Sequence, residues 1–262
     1  MAEMFANAIG YEHVMGRWSA RLAPGFAEFA QVPDCGRLLD VGCGTGTLTQ
    51  RIGSIAPKMD IVGIDPAQSF IDYARSRFTS SRISFQLGNV LDLPFSNDSF
   101  DLCLSLLVLM FVPDPEKAVS EMCRVTRPGG IVGACTWAHD GLDLSEVFWE
   151  EASKLDREGE ARAERALHSN RQGQLSALWK NAGLTQVEEV TLEIQTAFLS
   201  FEDYWSPFLT GVGPNGAYLA SLSADRRDAL RDALRNRLLA KGADGPISLR
   251  ARALAVRGVV GR

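Results

Sequence analysis

A chain of 262 residues is long enough for one large α/β domain, or one domain carrying insertions. With 46% hydrophobic and 23% charged residues it has the make-up of a soluble globular protein with a sizeable core. Its formal net charge of -5 repels phosphate backbones on average, so no nucleic-acid partner is expected. The opening Met-Ala-Glu-Met-Phe-Ala-Asn shows no basic segment followed by an apolar run, so no signal peptide is read. The longest apolar stretch, Leu102 to Val112, is about half of what a bilayer span needs. Five cysteines (Cys35, Cys43, Cys103, Cys123 and Cys135) form no C-x-x-C pair, and most lie in apolar elements, as free thiols of a reducing compartment do. His13, His139 and His168 lack metal-ligand spacing, so no metal site is expected. The expectation is a cytoplasmic protein without a membrane span.

Residues 1–34 read as an N-terminal helical lead or cap, and residues 35–262 as the main domain. Arg37 to Val41 is a first strand, followed by a helix over Gly46 to Ala56 with Leu48, Ile52 and Ile55 on one face. Asp60 to Asp65 is a second strand, and Ala67 to Phe78 a helix carrying Phe70, Ile71 and Ala74 on one side. Ile83 to Leu87 and Phe100 to Leu106 are the third and fourth strands. Pro115 to Thr126 is a helix stopped by Arg-Pro-Gly-Gly, and Gly130 to Trp137 is a fifth strand. Leu142 to Asn170 reads as charged and helical, and Gln174 to Asn181 as a short amphipathic helix. Thr185 to Ser200 and Ile247 to Val260 are the last two strands. Between them lies an insertion, Phe201 to Gly242, which opens with aromatics and closes with Leu230, Leu234 and Leu238 in helical register. Continuous apolar strands alternating with helices mean an α/β, Rossmann-like, doubly wound fold. It is expected to have a mostly parallel seven-stranded sheet, helices on both faces and an insertion or lid before the last strand. Helical insertions near 140–172 and 201–242 are expected to form a substrate lid.

Leu38-Leu-Asp-Val-Gly-Cys-Gly-Thr-Gly-Thr is a strand, a glycine turn and a helix start. The glycines let the backbone approach a ligand, and the helix N-terminus beyond them offers unpaired N–H groups. About 20 residues on, the second strand ends at Asp65, where a carboxylate accepts hydrogen bonds from ribose hydroxyls. A dehydrogenase loop reads G-x-G-x-x-G; here Gly42, Gly44 and Gly46 are followed by Thr47, so its third glycine is missing. Asp40 would repel a pyrophosphate and suits a ligand carrying an ammonium or sulfonium.

The glycine segment resembles motif I of the class I S-adenosylmethionine-dependent methyltransferases. Ile61-Val-Gly-Ile-Asp-Pro66 is similar to their second strand with its ribose-binding acid. Gly88-Asn-Val-Leu-Asp-Leu-Pro-Phe-Ser-Asn-Asp-Ser-Phe-Asp101 resembles their "GDAxxLPFxDxSFD" block, and Arg124-Val-Thr-Arg-Pro-Gly-Gly130 their "RVLKPGG" block. The nearest subgroup is the ubiquinone/menaquinone-type small-molecule enzymes (methyltransferase type 11). The resemblance covers roughly residues 35–138 and rests on four blocks in order. It implies S-adenosylmethionine as cofactor and S-adenosylhomocysteine as product. It places Asp40, Gly42, Gly44, Gly46 and Ser105 around the methionine part, and Asp65 with Pro66 at the ribose. Phe70, Asn89 and Val90 then fall at the adenine, with an amide at Asn89 where relatives carry a carboxylate. The lead Tyr11-Glu-His-Val-Met-Gly-Arg-Trp-Ser resembles a segment of some relatives, with Tyr11 as a lid and Arg17 against the cofactor's carboxylate. Where relatives carry a histidine after the fourth strand, this chain has Leu109-Met110-Phe111, which favours an apolar or aromatic acceptor. His139, just beyond the fifth strand, is the candidate base.

Taken singly, some of these residues have plainer readings. Phe70 and Ser105 read equally as core and turn residues, and Tyr11 and Trp18 as helix-packing aromatics. Tyr204, Trp205 and Phe208 read equally as core of the insertion, and Glu146 to Arg165 as a solvated helix face. The function expected is methyl transfer to a small molecule. The alternatives are a protein or nucleic-acid methyltransferase, and a non-catalytic cofactor-binding protein. A homodimer is left open.

Overall fold

The computed structural model describes residues 8–155 and 171–261. Its strands are β1 (Cys35–Val41), β2 (Lys58–Asp65), β3 (Ile83–Leu87), β4 (Phe100–Leu106), β5 (Thr126–Leu142), β6 (Thr185–Phe198) and β7 (Ile247–Val259). They form one sheet in the order β3-β2-β1-β4-β5-β7-β6. The first five run parallel, and β7 is antiparallel to both β5 and β6. This is the doubly wound, mostly parallel seven-stranded sheet expected from the sequence.

The described helices are α1 (Ala8–Tyr11), α2 (Arg17–Phe29), α3 (Thr47–Ile55), α4 (Gln68–Arg77), α5 (Pro115–Val125), α6 (Asp143–Leu155), α7 (Gln174–Asn181), α8 (Phe201–Trp205), α9 (Gly213–Ser221) and α10 (Ala224–Leu238). A π-helical turn, Glu12–Gly16, joins α1 to α2. Side chains alternate across the sheet with period two. On one face Leu38, Leu102, Leu104, Ala253 and Ala255 meet α2, α3 and α6. On the other, Leu39, Cys103, Leu254 and Val256 meet α5 and α7. Trp179 of α7 is fully buried there and donates its indole N–H to the Val132 carbonyl at 2.9 Å.

Two of the sequence blocks are joined physically. Arg124 on α5 donates to the carbonyls of Leu93 (2.9 Å) and Phe95 (2.7 Å), and Glu121 accepts the Leu93 N–H at 3.0 Å. The two side chains pair at 2.7 Å. The Arg124 hydrogen bonds hold the Glu121 carboxyl down to about 2, against its burial. This clamp fixes the connection from β3 to β4 against α5.

Several boundaries differ from the sequence reading. β5 begins at Thr126, before the Arg-Pro-Gly-Gly stop, because Arg127 pairs with Asp101 and the Gly129 N–H reaches the Val260 carbonyl. Of the charged stretch Leu142 to Asn170, α6 is described over Asp143–Leu155; residues 156–170, with His168 and Arg165, lie outside the described residues, as do 1–7 of the lead. Part of that expected solvated face is engaged: Glu150 and Glu151 both pair with Arg237 of α10.

The insertion is a packed body. Phe201, Tyr204, Trp205, Phe208 and Tyr218 are all buried, with Phe148 and Trp149 of α6 against them. The Tyr204 hydroxyl donates to the Leu144 carbonyl at 2.9 Å. The plainer reading of these aromatics, as core, is what the structure places here. Arg17 ties the lead to this body: it donates to Asp203 Oδ1 at 2.9 Å and Oδ2 at 3.2 Å, and lies over the rings of Trp18 and Phe198.

Candidate functional site

β1 delivers the chain into a loop that only glycine serves. Gly42, Gly44 and Gly46 have φ of +68°, +52° and +88°. A Cβ at Gly42 would sit 2.4 Å from a Val108 methyl, and one at Gly46 2.7 Å from the Phe78 ring. Left-handed φ and lack of room thus act together at both positions.

The loop's N–H groups are directed inward. Gly42 and Cys43 donate to the Ile64 carbonyl (2.8 and 3.0 Å), and Gly46 donates to the Cys43 carbonyl (2.9 Å). Gly44 donates to Asp65 Oδ2 at 3.0 Å, and Ala67 to Asp65 Oδ1 at 2.9 Å. The α3 N-terminus is also capped. Asp40 Oδ2 accepts the Thr49 N–H at 3.1 Å and the Thr49 hydroxyl at 2.6 Å. The expectation of unpaired N–H groups awaiting a ligand's negative end is therefore corrected at Thr49. Asp40 already supplies the negative charge that this helix end favours.

Asp40 is 1% exposed, and burial pushes its carboxyl up to about 7, with the two Thr49 bonds opposing. Burial also raises Asp65, against the hydrogen bonds from Ala67 and Gly44. The other Asp40 oxygen, Oδ1, takes no hydrogen bond from a described residue, and Asp40 lines a small cavity with Tyr11, Ser19, Gly42, Gly44 and Leu106. No lysine or arginine is among the described residues lining it. A lining with one buried carboxylate and no basic side chain suits a cation and disfavours a pyrophosphate.

The lead segment closes this cavity. The Tyr11 ring lies 5.3 Å from Phe70, and its hydroxyl is hydrogen-bonded to Ser19. The Thr45 hydroxyl donates to the Glu12 carboxylate, which also lies 3.7 Å from Arg77. The enclosed space is only about 20 Å³, room for about one water, so a ligand of nucleoside size requires the Tyr11–Glu12 segment to swing away.

The remaining candidates separate. Phe70 is 5% exposed and stands against Gly44. Pro66 is exposed beside Asp65. Asn89 is exposed, and its Oδ1 accepts the Leu91 N–H at 3.0 Å, so the amide closes its own turn. Val90 is buried in the core cluster on the α5 face. Ser105 is fully buried, and its hydroxyl donates to the Val41 carbonyl at 3.0 Å, bracing β4 against β1 at the loop's entry. Arg17 is drawn to Asp203, away from the position the resemblance implied. His139 falls in the irregular part of β5 after Trp137 and does not line the cavity. The sequence reading missed Ser19, Thr45, Thr49 and Glu12. Only Thr49 left a signal, as a hydroxyl at the third position of a helix that starts behind a carboxylate.

Residues 39–134 match the family described as "Methyltransferase domain". Those residues carry a methyltransferase domain of the class I S-adenosylmethionine-dependent kind. Its cofactor is S-adenosylmethionine, and the product form is S-adenosylhomocysteine. Over 114 residues the chain is 34% identical to the malonyl-[acyl-carrier protein] O-methyltransferase of Yersinia pestis, covering 44% of this chain and 41% of that one. The chain spans about two-fifths of the length of the curated relatives it matches. Among solved structures, a phosphoethanolamine N-methyltransferase 2 of Haemonchus contortus with bound S-adenosyl-L-methionine superposes with a TM-score of 0.60 at 18% identity, over 97% of this chain and 57% of that one. The [4+2]-cyclase SpnF superposes with a TM-score of 0.54 at 23% identity, over 92% of this chain and 81% of that one. The methyltransferase fold is thus shared with a cyclase, and chemistry has to be argued from the site. Among the described residues, no helix is long and apolar enough to cross a membrane.

Proposed function

We propose that the chain transfers the methyl group of S-adenosylmethionine to a small, apolar or aromatic acceptor by in-line displacement. The observation that carries this is the cavity holding buried Asp40, with Asp65 directly behind Gly44 and no basic side chain in its lining. The bound cofactor would supply an electrophilic methyl on a cationic sulfur. Asp40 then balances the positive charge, and the glycine loop lets backbone approach the methionine part. Asp65 keeps lone pairs for the ribose hydroxyls beyond its two backbone donors. Phe70 and Tyr11 offer rings to the adenine, with Asn89, Val90 and Pro66 at its rim.

Displacement at an activated methyl needs alignment and a dry site more than proton transfer. Leu109, Met110 and Phe111 form an apolar 3-10 turn after β4, which supports an acceptor that arrives ready to react. With His139 outside the cavity lining, no base is assigned. The caps around the acceptor would be the insertion 201–242 and α6, the described part of the expected insertion near 140–172. Incubation with methyl-labelled S-adenosylmethionine and a metabolite extract, with the labelled product identified, tests the reading. Binding without transfer across a broad acceptor panel would move the chain to a non-methylating role.

The Asp40 carboxyl makes a pH prediction. Its pKa is raised from 3.8 to about 7, so it is protonated below neutrality in the free protein. A cation binds better to the ionised form. S-adenosylmethionine affinity should therefore climb as pH rises to about 7 and then level, with a slope of up to about tenfold per pH unit below it. The free protein runs the other way: the neutral buried acid stabilises the fold fully below about pH 4, and this is lost as pH rises through 7. Calorimetry across pH should show the slope in the native chain and a flat profile in Asp40→Asn.

A further inference from the structure

Helices α6 and α9 meet at the insertion, and each carries a buried N–H donor with no partner among the described residues. The Ser145 hydroxyl on α6 donates to Asn215 Oδ1 on α9 at 3.1 Å. Trp149 lies one turn after Ser145 and Tyr218 one turn after Asn215, and the two rings are 5.4 Å apart. Trp149 is 5% exposed, yet its indole Nε1 makes no hydrogen bond. Asn215 is half-buried, but its Nδ2 atom is out of solvent and likewise has no partner among the described residues. Native interiors rarely leave such donors unmatched, and two on facing helices call for an explanation.

Three features bear on what would match them. First, an indole N–H and an amide NH₂ can only donate, so the missing group is an acceptor. Second, α9 has no side-chain cap at Val212, so its first turn, which carries Asn215, is open to an oxygen. Third, the surroundings are aromatic: Phe148, Phe208 and Tyr218 are all buried here. The place is also right for a second substrate. Ser145 sits in the first turn after β5, at the sheet edge where β1 and β2 present the glycine loop and Asp65. The turn Ser206–Thr210, which packs on α9, also touches the Glu12–Gly16 turn whose Glu12 holds the loop.

We propose that Trp149 Nε1 and Asn215 Nδ2 bind an uncharged oxygen, carbonyl-like, on an aromatic methyl acceptor. The assignment rests on the methyltransferase reading and gives it a substrate class. Neutral donors among aromatic rings favour a neutral oxygenated ring over a carboxylate or a phosphate. A site built on donors discriminates strongly against an analogue that lacks the oxygen, because the donors are then left unmatched.

The test uses acetophenone and α-methylstyrene, which have the same shape with and without the oxygen. Protein saturated with S-adenosylhomocysteine is titrated with each, and the Trp149 indole N–H resonance is followed by ¹⁵N NMR, identified by its loss in Trp149→Phe. Acetophenone should shift that resonance and bind about tenfold more tightly than α-methylstyrene, or better. In Trp149→Phe and in Asn215→Leu this preference should shrink to about threefold or less, with S-adenosylhomocysteine affinity unchanged. Equal affinities, binding of neither probe, or an internal water that stays on the indole N–H in the presence of acetophenone would overturn the proposal. If S-adenosylhomocysteine still binds in those cases, the failure belongs to the acceptor site alone; loss of that binding as well would count against the cofactor reading.

Discussion

Asp65→Ala is expected to weaken S-adenosylmethionine binding by about a hundredfold or more. Hydrogen bonds to a charged group contribute about 1.5–3 kcal/mol each, and two ribose hydroxyls bring two of them. The substitution also removes the acceptor for the Gly44 and Ala67 N–H groups, so the loop loses the anchor that sets its position. The fold should survive, because β2 stays parallel-paired to β1 and β3 through residues that do not change. Calorimetric titration beside thermal unfolding checks both halves. Asp65→Asn, which keeps one acceptor oxygen without the charge, should fall between the two. An affinity unchanged in the alanine variant would remove Asp65 from the cofactor site.

Gly46→Val should abolish measurable cofactor binding and also lower stability. A β-branched residue at φ +88° is a backbone outlier costing about 1–3 kcal/mol, and its Cβ would press on Phe78 at 2.7 Å. Phe78 packs on Phe85 with ring centroids 5.1 Å apart, in the cluster that seats α4, so relief requires the loop itself to move. Gly46 is also the residue before α3, whose N-terminus Asp40 caps through Thr49. Displacing it pulls on Asp40 as well. A drop in melting temperature of several degrees, with loss of the S-adenosylmethionine calorimetric signal, is the expected outcome. Wild-type affinity in this variant would show that the loop conformation is not needed.

How much of this was legible in the sequence follows the range of the interactions. Strands β3 and β4 match their expected bounds, and α7 matches residue for residue, because their apolar periods are local. Gly42, Gly44, Gly46, Asp40 and Asp65 were readable as a loop and its flanking acids, since all five are set by spacing along one βαβ unit. The Arg17 pairing with Asp203 was not readable, because the two are 186 residues apart and nothing in the local pattern announces it. Glu12 was missed for the same reason: its partners Thr45 and Arg77 belong to other elements. Ser105 was read toward the cofactor from its position at a strand end, whereas the side chain turns inward to the Val41 carbonyl. An aromatic run such as Phe201 to Phe208 looks alike in sequence whether it lines an open pocket or fills a core. Only the ring contacts with α6 decide it.

The glycine-lined cavity around Asp40 is expected to take S-adenosylmethionine and not a dinucleotide. The most direct test is calorimetric titration of the wild-type chain at about pH 8, where Asp40 is ionised, with S-adenosylmethionine, S-adenosylhomocysteine and NAD in parallel. One-site binding of the first two is expected, tighter for the cationic S-adenosylmethionine at this pH than at about pH 6, with no binding of NAD. Saturable NAD binding, or the absence of binding by either S-adenosyl compound, would contradict it.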